Sequence, residues 1–224
     1  MSKNALVLGY YGYAQSIIPE YQTRMITASI YPSDKFSADV LLFTGGEDIS
    51  SSLYGESNHA SRGENPTRDT WELAWYRWAV VNKVPMIGIC RGMQLFTALT
   101  GGKLIQHVLG HYNDHDAITY AGELIQVNSI HHQMCVPKEG TYELLAYAHS
   151  LSSVYTTTPT IKKDFENRFN LEGIGTKEPE ALWFPHIQAL GVQFHPEMLP
   201  KDSKGHMFFK NILHKYIIKD VLCA

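Results

Sequence analysis

Cysteine is scarce in this chain, with three residues (Cys90, Cys135 and Cys223) among 224. They form no C-x-x-C pair and no disulfide framework, which suits a reducing compartment where a thiol serves chemistry rather than cross-linking. Charge of one sign is missing too. A net charge of −3, with no basic run, gives no electrostatic case for nucleic acid or an anionic membrane as partner. The apolar runs are too short to span a bilayer. The opening Met1-Ser2-Lys3-Asn4-Ala5-Leu6 lacks the apolar core of a signal peptide, so a cytoplasmic location is expected. No G-x-x-x-x-G-K-[ST] phosphate loop occurs, and no room is left for an ATP-dependent synthetase domain. Repeats, low-complexity tracts and linkers are also absent. With 44% hydrophobic and 18% charged residues, residues 1–224 read as a single domain with a sizeable core.

One of the three cysteines stands in an informative place. Met86 to Ile89 is a short apolar run that predicts a buried strand. Cys90 follows at once, flanked by Gly88 and Gly92. Beyond it Met93, Leu95, Phe96 and Leu99 predict a helix that stops at Gly101-Gly102. A nucleophile at a sharp strand-to-helix bend is the nucleophile-elbow arrangement. A thiol at a helix N-terminus also feels the positive end of the helix dipole, which favours the attacking thiolate. Taken alone, Cys90 could equally be a buried core cysteine.

The second signal is Leu190-Gly191-Val192-Gln193-Phe194-His195-Pro196-Glu197. Ala189 to Phe194 predicts another buried strand with His195 at its end. Open α/β sheets bind ligands beyond the carboxyl ends of their strands, and Cys90 and His195 both fall at such ends. Glu197, two residues on in extended chain, can share a side with His195. Nucleophile, base and orienting carboxylate make a triad.

Further strands are expected at Ala5–Leu8, Val40–Phe43, Glu123–Val127, Tyr142–Ala148 and Glu180–Phe184, and helices at Asp69–Asn82 and Gly205–Asp220. Trp71, Trp75 and Trp78 read as core packing rather than a ligand cage. Alternating strands and helices, then a strand-rich second half, predict an α/β fold: a three-layer, mainly parallel sheet with helices on both faces and antiparallel additions. Residues 10–38 and 149–170 carry little pattern. His107, His111 and His115 are spaced by four, which on a helix could share a metal. Gly110 and Asn113 interrupt any helix there and no metalloprotease glutamate is present, so a polar loop is the better reading and no metal or organic cofactor is expected.

Taken together, Gly88-Ile89-Cys90-Arg91-Gly92-Met93-Gln94 and Gly191-Val192-Gln193-Phe194-His195-Pro196-Glu197 resemble the class I glutamine amidotransferase family, and more narrowly its γ-glutamyl-γ-aminobutyrate hydrolase branch. Thr44-Gly45-Gly46-Glu47-Asp48-Ile49 followed by Leu53-Tyr54-Gly55-Glu56, then Arg68-Asp69 with Glu72, and Asn128-Ser129-Ile130-His131-His132-Gln133, resemble further motifs of that branch in the same order. The resemblance covers roughly residues 40–198. It implies the flavodoxin-like fold of that family and a thioester mechanism with Cys90 as nucleophile, His195 as acid and base, and Glu197 as its orienter. Backbone N–H groups of Gly46 and Arg91 would form the oxyanion hole. Gln94 would help hold the glutamyl group, and the Ser129, Ile130 and His131 segment would clasp its α-amino and α-carboxylate ends. By pattern alone Gly45-Gly46 could be a tight turn, Gln94 a buried polar residue, and His131 and His132 hydrogen-bonded core histidines.

The implied substrate is a small γ-glutamyl amide. The main alternative is a glutaminase subunit that passes ammonia to a separate synthetase, and a remote one is a non-catalytic binding protein. A homodimer is possible. Two departures from the family pattern bear on pocket shape: a short stretch ahead of Gly45-Gly46, and Thr97-Ala98-Leu99-Thr100 at the end of the elbow helix. The amine side is expected from Asp48 to Arg68, with Tyr54, His59, Arg62 and Trp183 as candidates.

Overall fold

The computed structural model describes residues 3–9, 12, 14–149, 154–156 and 177–218. In chain order the elements are β1 (Lys3–Leu8), α1 (Ala14–Ile17), β2 (Tyr21–Ile26), β3 (Val40–Phe43), α2 (Pro66–Asn82), β4 (Met86–Ile89), α3 (Arg91–Leu99), β5 (Lys103–Ile105), β6 (His107–Leu109), β7 (His115–Thr119), β8 (Leu124–Val127), β9 (Met134–Val136), β10 (Glu143–His149), β11 (Val154–Thr156), β12 (Lys177–Phe184), β13 (Ala189–Val192) and α4 (Lys204–Leu213). Nine strands form one sheet in the order β2-β1-β3-β4-β13-β12-β10-β7-β8. The pairings from β2 through β13 are parallel, and those from β13 through β8 are antiparallel. Two small ribbons, β5 with β9 and β6 with β11, complete the described strands.

The layering follows from alternation along the strands. Ala5, Val7, Val40, Leu42, Ile87 and Ile89 face one side and pack with Ala14, Ile17, Phe208, Phe209 and Ile212, so α1 and α4 cover that face. Leu6, Leu8, Leu41, Phe43 and Met86 face the other side and pack with Trp71, Trp75, Met93 and Phe96, so α2 and α3 cover it. Parallel strands buried on both faces need apolar residues at every position, and Val40–Phe43 are all buried. The expected three-layer α/β architecture is the one observed.

Most element boundaries match the expected ones to within a few residues. α2 starts at Pro66, three residues ahead of the expected Asp69, because Asn65 caps it by accepting from the Arg68 N–H at 3.0 Å and Pro66 takes the first helical position. The terminal helix runs as α4 to Leu213 and continues as a π-turn over His214–Ile218. The last expected residues, to Asp220, lie outside the described ones. In the weakly patterned 10–38 region, β2 forms the sheet edge beside β1. Residues 107–115 are strand and loop rather than helix, so the four-residue spacing of His107, His111 and His115 has no helical meaning.

Candidate active site

Three neighbouring strands end at one place. Register sets Phe43 of β3 beside Gly88 of β4, and Ile89 of β4 beside Val192 of β13. The chain leaving β3 is Thr44-Gly45-Gly46, the residue leaving β4 is Cys90, and β13 leads through Gln193 and Phe194 to His195. Parallel pairing therefore brings Cys90 and His195 together across a long stretch of sequence.

Cys90 has φ +50° and ψ −100°, a sparsely populated conformation for a residue with a side chain. Its N–H donates to the Val192 carbonyl at 2.7 Å, and its own carbonyl accepts from Gln94 N–H at 3.2 Å, so sheet and helix clamp the bend from both sides. The glycines beside it are needed for close packing. A Cβ on Gly92 would lie 2.5 Å from the Phe43 carbonyl oxygen, and one on Gly88 would lie 2.6 Å from the Gly92 carbonyl carbon. Both are contacts that backbone cannot relieve.

Cys90 and His195 stand side by side, since a Cβ on Gly45 would lie 3.6 Å from both Cys90 Cβ and His195 Nε2. On the other ring nitrogen, His195 Nδ1 meets Glu197 Oε1 at 2.8 Å. Burial disfavours a charge on His195. The hydrogen bonds and opposite charges of Cys90 and Glu197 outweigh it and push the imidazole up to about 10. The ring is thus held as an imidazolium at neutral pH, a form able to give a proton to a departing amine. Gly45 lies flush against this pair, and a Cβ there would sit 2.9 Å from His195 Cε1. Gly46 has φ +146°, which favours glycine.

A charge network anchors the glycine loop from behind. Arg68 donates to the carbonyls of Thr44 at 3.1 Å and Gly45 at 3.0 Å, to Glu47 at 2.7 Å and to Glu72 at 2.8 Å. The Arg91 side chain is fully buried and pairs with Glu72 and, at 2.5 Å, with Asp69. Asp69 in turn accepts from Ser50 N–H at 3.0 Å. The Arg68-Asp69-x-x-Glu72 signal is therefore a scaffold that ties α2 to the glycine loop and to the elbow. Because a trans peptide sets a carbonyl and the following N–H on opposite sides, holding the Gly45 carbonyl turns the Gly46 N–H away from Arg68.

Two residues gave no separate signal in the sequence. Asn128 makes a paired contact with the His195 main chain, accepting from its N–H at 2.7 Å and donating to its carbonyl at 2.8 Å. Gln193 turns its amide nitrogen to Cys90 Sγ at 3.6 Å, and its oxygen accepts from Gln94 at 3.4 Å. Both stand inside motifs of the chain, and only the tertiary contact assigns them a task. Gln94 is buried within this cluster. The 128–131 segment lies against His195 through Asn128, while Ser129 Oγ donates to the His111 carbonyl. Ile130 is 55% exposed, and the His131 ring turns into a separate buried cluster.

The amine-side candidates fare unevenly. Tyr54 is buried, with its hydroxyl 3.5 Å from Ser61 Oγ, and burial pushes it up to about 12. His59 and Arg62 are exposed, and their backbone N–H groups are tied to Gln106 and Asp48. Trp183 stacks on Tyr216 at 4.8 Å and belongs to the core beside α4 rather than to the 48–68 segment. A cavity of about 210 Å³ opens beside His195 instead, walled by Ala14, Ile17, Ile89 and Met198 with Gly46.

The model of the peptidase C26 family matches residues 35–197, nearly the whole stretch that holds these elements. The chain belongs to that family. Peptidase C26 and class I glutamine amidotransferase-like proteins are its kin in sequence and in fold. The glutamine amidotransferase-like protein YvdE of Lactococcus lactis subsp. lactis is 30% identical over 213 residues, covering 82% of this chain and 79% of the relative. The carbamoyl phosphate synthase small chain of Helicobacter pylori is 24% identical over 93% of this chain and 48% of its own length. A crystal structure of a glutamine amidotransferase from Thermotoga maritima superposes with a TM-score of 0.58 at 13% identity, covering 96% of this chain and 85% of that one. At that identity the structural likeness concerns the fold alone. No helix among the described residues is long and apolar enough to cross a membrane.

Proposed function

We propose that this peptidase C26 member hydrolyses the γ-glutamyl amide bond of a γ-glutamylated amine. The observation that carries the reading is the convergence of Cys90, His195 and Glu197 at the ends of β4 and β13, with Gly45 pressed against the imidazole. In this reading the Cys90 thiolate attacks the γ-carbonyl carbon. The resulting oxyanion is met by the N–H of Arg91, which opens α3 and so has no acceptor within its helix, and by the N–H of Gly46. Each such donor is worth about 10²–10³ in rate. The His195 imidazolium gives its proton to the amine as the C–N bond breaks, leaving a γ-glutamyl thioester on Cys90. His195, now neutral, takes a proton from water as the water attacks. The C–S bond then breaks, glutamate leaves with its new carboxyl proton lost to solvent, and the thiolate–imidazolium pair is restored. Gln94 and the main chain of Ser129, Ile130 and His131 hold the glutamyl end. The apolar cavity beside His195 suits the methylene part of an amine.

The likeness to a carbamoyl phosphate synthase small chain supports a second reading, in which glutamine is the substrate and ammonia passes to a partner synthetase. Both readings share every step and differ in the amine. A panel of γ-glutamyl amines assayed beside glutamine, with free glutamate as readout, separates them. The first reading expects at least about tenfold higher kcat/KM for one or more of the amines. Glutamine turnover that dominates and rises when a synthetase is added would establish the second. Cys90→Ala should still fold and lose at least about 10³-fold in glutamate release with any substrate. Turnover retained by that variant would remove the thioester from both.

A further inference from the structure

Next to the catalytic residues lies a second buried cluster that the mechanism does not use. β12 supplies Glu178 and Glu180, the loop after β6 supplies His111, β7 opens with His115, and the 128–133 loop supplies His131; all five are buried. Their outer atoms are all engaged. His111 Nε2 meets Glu178 at 2.8 Å, His115 Nε2 meets Glu180 Oε1 at 3.0 Å, and His131 Nδ1 meets the Gln133 carbonyl at 2.9 Å. Their inner atoms are not. His111 Nδ1, His131 Nε2 and Glu180 Oε2 are shielded from solvent and lack any hydrogen-bond partner.

The two imidazole orphans both face the Glu180 carboxylate. One ligand atom from each of His111, His131 and Glu180 falls within 4.8 Å of the other two. His111 Nδ1 is 3.5 Å and His131 Nε2 is 3.9 Å from Glu180 Oε1, the oxygen that also meets His115, while Oε2 of the same carboxylate has no partner. The outer contacts set the tautomers. A carbonyl can only accept, so His131 carries its proton on Nδ1 and presents a lone pair at Nε2. The Glu178 carboxylate likewise calls for the proton of His111 on Nε2, which leaves a lone pair at Nδ1. Two imidazole lone pairs aimed at one buried carboxylate repel it unless something positive lies between them.

We propose that His111 Nδ1, His131 Nε2 and a Glu180 oxygen bind one divalent first-row transition ion, with Zn²⁺ the best fit. Two imidazoles and a carboxylate are a zinc donor set, and a site with no further oxygen ligands is poor for Mg²⁺ or Ca²⁺. Donors around a tetrahedral ion at about 2.0–2.1 Å lie about 3.3–3.5 Å apart, so small side-chain rotations close the site. A carboxylate behind one histidine and a carbonyl behind the other are the outer partners that metal-bound histidines usually have. The ion would join the two walls of the catalytic cleft. Glu180 receives the Gln193 N–H on its main chain at 2.8 Å, and Gln193 reaches Cys90. His131 shares a loop with Asn128, which holds His195. The role is a clamp on the cleft.

Untagged protein, stripped with chelator and then equilibrated with Zn²⁺ or Co²⁺ and desalted, tests this. The expected result is about one ion retained per chain by elemental analysis, visible d–d bands of four-coordinate Co²⁺, and a rise in Tm of roughly 5 °C on metal addition. Glu180→Gln and His131→Asn should each weaken retention at least about tenfold, while His107→Ala should leave it unchanged. Wild-type protein that retains no ion and shows no Co²⁺ bands overturns the proposal, since the inner space then holds only a proton; this measurement needs no variant to fold. Loss of the ion in His107→Ala but not in Glu180→Gln also overturns it, by moving the ion to the pair of His107 and His132, whose Nδ1 atoms are 3.3 Å apart.

Discussion

At the scale of single residues, the balance of forces on His195 is the feature with the widest consequences. Its folded-state value of about 10 stands above the ordinary 6.5 because Cys90 and Glu197 outweigh burial. A raised value means that the folded state binds the proton more tightly than the unfolded chain. The stabilisation is complete below about pH 6.5 and is lost as pH rises through about 10. Urea unfolding across that window should show the wild type losing its advantage over Glu197→Gln, a variant of the same shape without the charge. A gap between the two that does not change with pH would show that the carboxylate does not hold the imidazolium. Asn128 offers a second test. Asn128→Ala removes both hydrogen bonds to the His195 main chain and should destabilise by about 1–3 kcal/mol, with kcat falling about 10–100-fold and KM changing little. Asn128→Asp, which keeps the acceptor for the His195 N–H, should recover part of the loss, and equal damage from both would mark Asn128 as merely structural. Of these residues the sequence announces Cys90, His195 and Glu197, because a nucleophile, a base and a carboxylate carry their chemistry in their names. Asn128 and Gln193 could not be ranked among other polar residues, since their tasks exist only once β4, β13 and the 128–133 loop meet.

At the scale of elements, the elbow and α2 act as one unit through buried charge. Arg91 is enclosed among Glu72 and Asp69, and Arg68 bridges Glu72, Glu47 and the glycine loop. Deleting one member of such a network strands the others in a medium that solvates them poorly. Arg91→Met should therefore lower the unfolding free energy by roughly 3–5 kcal/mol. The partly exposed pair of Lys210 and Glu20, at 2.8 Å, provides the contrast: Lys210→Ala should change stability by less than about 1 kcal/mol. Similar losses from both variants in urea titrations would contradict the network account. The elements of this unit were legible. The apolar run 86–89, the helical spacing after Cys90 and the indole spacing in α2 are strong local patterns. The short strands β5, β6, β7 and β9 were not legible, because three to five residues carry too little alternation to separate from loop, and their edges are fixed by the strands they pair with.

For the whole molecule, the decisive fact is the neighbour relation of β4 and β13. Local periodicity could supply two buried strands but could not say that they are adjacent in the sheet; the pairing of two motifs suggested it, and the parallel register displays it. The same adjacency bears on whether the chain unfolds in one step. The sheet changes from parallel to antiparallel at β13, which could have been a boundary between two units. The packing crosses it. Ala5, Leu42 and Ile87 from the parallel half share one apolar cluster with Ala117, Ile125, Val127, Leu145 and Ala181 from the antiparallel half, and α4 contributes Phe208 and Ile212 to the same cluster. A core that spans the change of direction should melt cooperatively. Three of the four tryptophans, Trp71, Trp75 and Trp78, lie on α2 over the parallel half, so fluorescence reports mainly on that half, while far-UV circular dichroism reports on the whole chain. The two denaturation curves should coincide, with one midpoint and one slope. A dichroism change that precedes the fluorescence change would mean that the antiparallel strands release first, and His195 would then lose the strand neighbourhood that brings it to Cys90 before the parallel half gave way.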